Sequence, residues 1–300
     1  MEVTRLRFKG DGAGVQYLDL SRALTDACRR LHRQKQIYTV AGGYYVDSNG
    51  SRINLNTAYN GWVTRAAINR GFRYWRKQAA KTLANAEGAQ PGKWSDYKIK
   101  LDHIHTDQLT MDPVDAGDNK FHTGVSPEWN YATMISEDPD GPTQPGDPDG
   151  FELCIVGAQS DVAVGQQHGT VGLIQSWFQS RPAMDYEEPN DLPDYTDPLQ
   201  NLFDSGDADD DRLVNLQTEN DSAPYDEDTT WGNQARTKGG TPAQDGENLQ
   251  RQSVAFTSDA NPVAPIHGFQ AICGLVQLHV VGNPGAWELV LDVVNKGESF

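Results

Sequence analysis

A mainly β, loop-rich fold is what the sequence predicts, and three observations predict it. Glycine and proline are abundant, at 29 and 16 of 300 residues. Apolar residues make up only 37% and the mean hydropathy is −0.64, which suits short strands and turns better than a helical bundle or an α/β enzyme. Apolar and polar residues alternate in short runs near both ends of the chain, the period-2 pattern of half-buried strands. A chain of 33.1 kDa buries about 75% of its unfolded surface, so it needs neither a disulfide nor a metal to fold. Cys28, Cys154 and Cys273 are odd in number and lack CxxC spacing, so reduced, buried thiols are expected. No apolar run reaches the roughly 18 residues of a membrane span, and MEVTRLRFKG carries no secretory signal core.

The net charge of −17 is unevenly placed. Residues 1–100 hold 18 Lys+Arg against 7 Asp+Glu, and residues 101–300 hold 7 against 35. Such asymmetry predicts two surfaces with different partners, a polyanion for the basic third and water for the rest.

Residues 3–9 alternate, with Val3, Arg5, Arg7 and Lys9 on one side, giving a strand with a basic face. Leu20, Leu24, Ala27 and Leu31 recur at helical spacing behind Asp19 or Ser21 as N-cap. Arg29, Arg30, Arg33 and Lys35 fall in the last turn of that predicted helix, where they suit its dipole. Residues 37–57 read as a hairpin turned at Asn49-Gly50. Residues 62–84 predict a helix with Asn60 as N-cap. Ile68, Phe72, Trp75, Ala79 and Leu83 form its apolar face, and Arg70, Arg73, Lys77 and Lys81 lie opposite, flanked by Arg65 and Arg76. No acid occurs between Asp47 and Glu87, so these cations repel one another unless a polyanion sits against them.

In WSDYKIKLDHIHTD, Tyr97, Ile99, Leu101, His103 and His105 share one side of a predicted strand. PEWNYATMI, FELCIVGAQ and GTVGLIQSWFQS are further strand candidates, as are SVAFTS, FQAICGLVQLHVVG and GAWELVLDVVNKG. Residues 179–250 hold 18 acids, 4 bases and six of the 16 prolines without apolar period, so they predict a long surface loop or projecting insertion. Four parts follow: 1–36, a basic strand and helix; 37–178, the first part of the β-sandwich with the basic helix 62–84; 179–250, the acidic insertion; and 251–300, the closing strands.

The candidate chemical constellations are few. His103 and His105 have the spacing of metal sites on strands, and cupins use such a pair with a following Glu. Here Thr106, Asp107, Gln108 and Leu109 follow, so structural histidines are expected. Asp204, Asp207, Asp209 and Asp211 resemble a calcium loop, but an EF-hand would need Gly where Arg212 stands and Glu where Thr218 stands. A structural calcium site of another geometry is the one cofactor candidate, against a solvated acidic loop. GxSxG, Walker, GxGxxG and HExxH motifs are missing, Ser160 lacks an elbow's glycines, and Cys154 reads as core filler, so no enzyme is expected.

The segment RINLNTAYNGWVTRAAINRGFRYWRKQAAKTL, preceded by a basic region and followed by short strands ending in FQAICGLVQLHV and WELVLDVV, resembles the capsid proteins of small icosahedral viruses, in particular uncultured circular single-stranded DNA viruses. The resemblance is one of pattern over most of the chain and is weakest across 179–250. It implies an antiparallel jelly-roll β-sandwich of two facing four-stranded sheets, here with two added helices and a long acidic insertion. It further implies a subunit that self-assembles into a closed shell inside the host cell, resides in the virion and encloses a viral nucleic-acid genome. Many relatives carry a long Arg-rich arm, whereas these cations lie in predicted helices and strands. Arg70, Arg73, Lys77 and Lys81 are the principal candidates for phosphate contact, followed by Arg65, Arg76, Arg29, Arg30 and Arg33, neutralising charge without reading bases. A β-sandwich carbohydrate-binding or hydrolytic module of a phage tail or adhesin is an alternative, with Trp177, Tyr186, Tyr195 and Trp231 as loop aromatics. A cupin-like metalloenzyme built on His103 and His105 is another.

Overall fold

The computed structural model describes residues 2–85, 92, 94–107, 110–121, 129–136, 149–157, 170–179, 249–295 and 297–300. The strands are β1 (Val3–Asp11), β2 (Gly14–Asp19), β3 (Ile37–Asp47), β4 (Ser51–Thr57), β5 (Thr133–Ser136), β6 (Asp149–Cys154), β7 (Thr170–Gly172), β8 (Gln250–Phe256), β9 (Val263–Ile266), β10 (Phe269–Ile272), β11 (Leu275–Gly282) and β12 (Ala286–Val294). The helices are α1 (Leu20–Cys28), α2 (Trp62–Asn85), α3 (Ile104–Asp107) and α4 (Leu173–Gln179). The protein is mainly β, and its two larger sheets are antiparallel throughout.

The first sheet has the order β1-β12-β3-β10, and β9 continues the line of β10 along β3. The second has the order β2-β11-β4-β8. Alternation explains their common core. Leu6 and Phe8 of β1, and Trp287, Leu289, Leu291 and Val293 of β12, enter one buried cluster with Leu18, Ile53, Leu55, Val276, Leu278 and Val280 from the second sheet. Gly43 lets β3 lie against β12, because a Cβ there would come within 2.0 Å of the Val290 carbonyl oxygen.

Two expected pairings are different in the structure. β3 and β4 are not a hairpin: Gly50 turns the chain at φ 76°, but β3 joins the first sheet and β4 the second. Both strands carry inward apolar residues, Val40 and Tyr45 against Ile53 and Leu55, which meet only if the strands face each other across the core. FQAICGLVQLHVVG divides in the same way. Cys273 and Gly274, at φ 56° and 69°, carry the chain from β10 in one sheet to β11 in the other.

The strands of both large sheets come from residues 3–57 and 250–294. Everything described between β4 and β8 is inserted. The stretch 58–178, read from sequence as part of the sandwich, builds a separate sheet with β5 and β6 antiparallel and β6 and β7 parallel. Residues 97–103 form no named strand: Lys100 bridges Cys154, and the chain bends at 101–103 into α3. Most of the segment GTVGLIQSWFQS is α4 rather than a strand. A second buried cluster joins the insertion to the framework through Tyr17, Ile37 and Leu275 on one side and Ile68, Ile99, Ile155 and Ile174 on the other. The acidic residues 180–248 lie outside the described residues, and so does the expectation that they form a projecting insertion.

Two helix expectations are corrected. α1 starts where Asp19 caps it, accepting from the Ser21 and Arg22 amides, but it ends at Cys28 because Arg29 adopts a left-handed φ of 54°. Leu31, Arg30, Arg33 and Lys35 therefore follow the helix, and no base stands in its last turn. In α2 the Asn60 side chain is not the cap, since its Oδ1 accepts from Arg65 Nε at 2.8 Å. The Gly61 carbonyl accepts from the Arg65 amide, so Gly61 holds the N-cap position. The apolar face is buried most deeply in its first turns, at Val63, Ala67 and Ile68. A Cβ on Gly71 would come within 2.5 Å of the Tyr97 hydroxyl. Phe72 and Trp75 pack on Tyr97 at ring distances of 5.6 and 5.7 Å but stay half-buried, so Ile68, not they, is the anchor.

Ile68→Ala is therefore expected to lower stability by about 2–5 kcal/mol, the usual range for a filled aliphatic site, and Trp75→Ala by less. Lys77→Gln, on the exposed side, should fall within about 0.5 kcal/mol of the parent. Urea unfolding followed by tryptophan fluorescence, and by circular dichroism for Trp75→Ala, measures all three.

Candidate nucleic-acid interface

The position of α2 depends on how the insertion is fastened to the second sheet. Tyr17 of β2 and Gln277 of β11 point away from the sandwich core, and Asp102 of the insertion meets both. The Tyr17 hydroxyl donates to Asp102 at 2.7 Å, and Gln277 Nε2 donates to Asp102 at 3.2 Å and to the Tyr17 oxygen at 3.1 Å. Asn56 of β4 extends the chain by donating to Gln277 at 3.0 Å. His105 stacks on Tyr17 with ring centroids 4.3 Å apart, and its backbone amide donates to Asp102. Asp19 is a second fastening point, accepting from Gln34 Nε2 and from Trp129 Nε1 besides its helix-capping bonds. Gln34 also binds the backbone of Ile99 with both ends of its amide.

Burial raises the carboxyl of Asp102 to about 6, with donation from Tyr17, His105 and Gln277 opposing the rise. It also raises that of Asp19. Burial lowers the imidazole of His105 to about 3, helped by the charges of Lys100 and Arg22.

The sequence-predicted cations meet three fates. Arg73, Arg76, Lys77 and Lys81 are exposed along α2 and have no acidic partner among the described residues. Arg70 is partly buried, lies 5.7 Å from the Tyr74 ring centre and donates to its hydroxyl, which lowers that hydroxyl's pKa. Arg65 is partly buried and held by Asn60, away from the exposed stripe. Arg29, Arg30 and Arg33 are not gathered with them: Arg29 donates to the Phe121 carbonyl, Arg30 lies 3.6 Å from Glu2 and Arg33 lies 3.8 Å from Asp96.

The basic face of β1 is neutralised within the fold. Arg5 pairs with Asp292 at 2.7 Å, Arg7 with Glu288 at 2.9 Å and Lys9 with Asp118 at 2.6 Å. The guanidinium groups of Arg5 and Arg7 hold Asp292 and Glu288 below the usual carboxylate range.

A groove of about 510 Å³ opens beside the stripe, lined by Ala66, Asn69, Arg70, Arg73, Tyr74 and Trp177. Trp62 braces Trp177 edge-to-face at 5.4 Å. Sequence reasoning missed Asn69, Tyr74 and the part played by Trp177. Tyr74 follows Arg70 by four residues, a spacing that places both on one helix face, and that was the available signal. Trp177 was named only as a loop aromatic, and its place beside α2 follows from α4, whose segment reads as a strand.

His103 and His105 do not converge. His103 Nδ1 meets Thr170, whereas His105 Nδ1 accepts from the Leu101 amide and its Nε2 meets Thr110 at 2.9 Å. No group of three or more His, Cys, Asp or Glu placed to hold a metal occurs among the described residues. Asp204, Asp207, Asp209 and Asp211 lie outside them. Cys154 and Cys273 are buried, and Cys28 is half-buried with its sulfur 3.6 Å from the Thr4 hydroxyl. No described helix is long and apolar enough to cross a membrane. No protein-family model, curated protein or solved structure matches the chain.

The fastening has a pH signature. Folded Asp102 takes up its proton near pH 6, whereas unfolded it does so near 3.8, so its contribution is complete below about pH 4 and is lost as pH rises through 6. His105 works in the opposite direction: its contribution is present above about 6.5 and is lost as pH falls toward 3. Between pH 4 and 6 the two oppose each other. Asp102→Asn removes one side, so the stability gap between parent and variant should shift in the parent's favour by about 2 kcal/mol from pH 6 to pH 4. Urea titrations at closely spaced pH values measure it, and a gap independent of pH would contradict the burial assigned to Asp102.

Proposed function

We propose that this chain is a structural subunit with a jelly-roll fold that assembles with copies of itself into a closed shell and encloses nucleic acid. The strand order supports the fold. Two four-stranded orders, β1-β12-β3 with β9 and β10 in the fourth place, and β2-β11-β4-β8, alternate the chain between facing sheets as two Greek keys do. Virus shell proteins share that architecture with lectins and cupins, so the fold alone does not choose among them.

The observation that carries the reading is the α2 stripe. Arg73, Lys77 and Lys81 recur every fourth residue on an exposed helix face with no acid to answer them among the described residues, while the β1 cations are all paired. Mutual repulsion along such a stripe is relieved when phosphates lie against it. Long cations in a row neutralise charge and offer no fixed geometry toward base edges, so binding is independent of sequence. In the assembled shell the stripe faces inward, and the chain acts as a container rather than a catalyst, resident in the virion after assembly in the host cell.

Two measurements test this. Light scattering and negative-stain microscopy of the purified protein should show shells of many subunits, and a monomer at all salt concentrations would remove the assembly reading. Replacing Arg70, Arg73, Lys77 and Lys81 together by Gln should leave the fold intact, because Gln is nearly as good a helix former. The slope of log affinity against log salt should become shallower by about 0.9 for each phosphate no longer neutralised on duplex, or about 0.7 on single strands. Coinciding slopes with both proteins folded would take the stripe out of the interface.

A further inference from the structure

The groove between α2 and α4 offers more than charge. Arg70 and Arg73 line it together with a Tyr74 ring that is 49% exposed, Asn69 brings an amide with both a donor and an acceptor, and none of the described residues lining the space is acidic. At about 510 Å³ it falls within the roughly 300–1,000 Å³ of small-molecule sites. The same helix face continues past it: Lys77 and Lys81 follow Arg73 at one and two further turns, about 12 Å along the axis. A ligand that fills the groove and then runs along cations is a strand, not a free nucleotide.

We propose that this groove seats an unpaired base of a single-stranded nucleic acid, stacked on Tyr74, with the phosphates beside it held by Arg70 and Arg73. The proposal rests on the reading that the α2 stripe meets nucleic acid, and it adds which form is preferred. In a duplex the base faces are covered by their neighbours, so a duplex meets the cations but not the ring. A strand with a base turned out gains both. Stacking on an aromatic ring tolerates any base, which agrees with a stripe that does not read sequence. Trp177, held edge-to-face by Trp62, gives the groove an apolar wall that keeps the base in place.

The test separates ring from charge. Fluorescence anisotropy with labelled 20-mers of oligodeoxythymidylate and oligouridylate, and with a 20-base-pair duplex, is measured at several salt concentrations for the parent, Tyr74→Ala and Tyr74→Phe. Tyr74 lies outside the buried face of α2, so both variants keep the fold, which circular dichroism verifies. Tyr74→Ala should weaken both single strands roughly 5- to 150-fold and leave the duplex within about twofold, with an unchanged salt slope because no phosphate-binding group is removed. Tyr74→Phe should bind like the parent. Equal affinity of Tyr74→Ala and parent for single strands, or an equal weakening on duplex, overturns the base site while leaving the cation stripe standing. A parent that binds neither strand form at low salt overturns the nucleic-acid reading itself.

Discussion

Whatever α2 presents to a partner depends on a buried polar seam between the insertion and the outward face of the second sheet. Asp102 reaches Tyr17 and Gln277, Asp19 reaches Gln34 and Trp129, and Gln34 clasps the Ile99 backbone. Burying carboxyl groups is unfavourable unless donors surround them, and here each is surrounded. The arrangement trades raw stability for position, because a hydrogen-bonded network accepts one register whereas apolar surfaces slide. The deeply buried first turns of α2 inherit that position, and the rest of the helix extends from it toward solvent.

Charge placement then divides the basic third of the chain into two populations. Cross-strand register decides the first: Arg5 lies opposite Asp292 and Lys9 opposite Glu288, so sheet formation brings opposite charges together. The second population sits on a helix whose flanking sequence has no acid from Asp47 to Glu87. The excess of 18 bases over 7 acids in the first hundred residues thus overstates the charge open to a partner, and what is open is concentrated on one helix face.

The parts of the fold that were legible in the sequence are those governed by local periodicity. The alternation of β1 and β12 and the 3.6-residue repeat of α2 depend on neighbours a few positions away, and burial follows them closely. The routing of β3 into one sheet and β4 into the other was not legible, because Asn49-Gly50 signals a reversal and says nothing about which strand will be the partner. The same holds at Cys273-Gly274. Of the candidate site, the cations Arg73, Lys77 and Lys81 were legible as an unanswered row. Arg29, Arg30 and Arg33 lie apart from them, because α1 ends at Cys28 and these side chains meet Phe121, Glu2 and Asp96. Tyr74 and Trp177 come to one groove only through the packing of α2 on α4, far apart in sequence.

The place of β12 in the first sheet governs the order in which the molecule can be built. β12 lies between β1 and β3, so among the described strands β1 has no partner but β12, and before residues 286–294 have left the ribosome its one other described bridge is that of Arg7 with Val114. Its eventual pairing sets Val3 against Val294 and Asp11 against Ala286, almost the whole length of the chain apart. Pairings so distant in sequence slow folding, because loop closure must precede the gain from pairing. The helix α2 is local and is synthesised long before that closure. The nascent chain therefore carries its basic helix ahead of its finished framework, and the first sheet is completed only when β12 enters its middle.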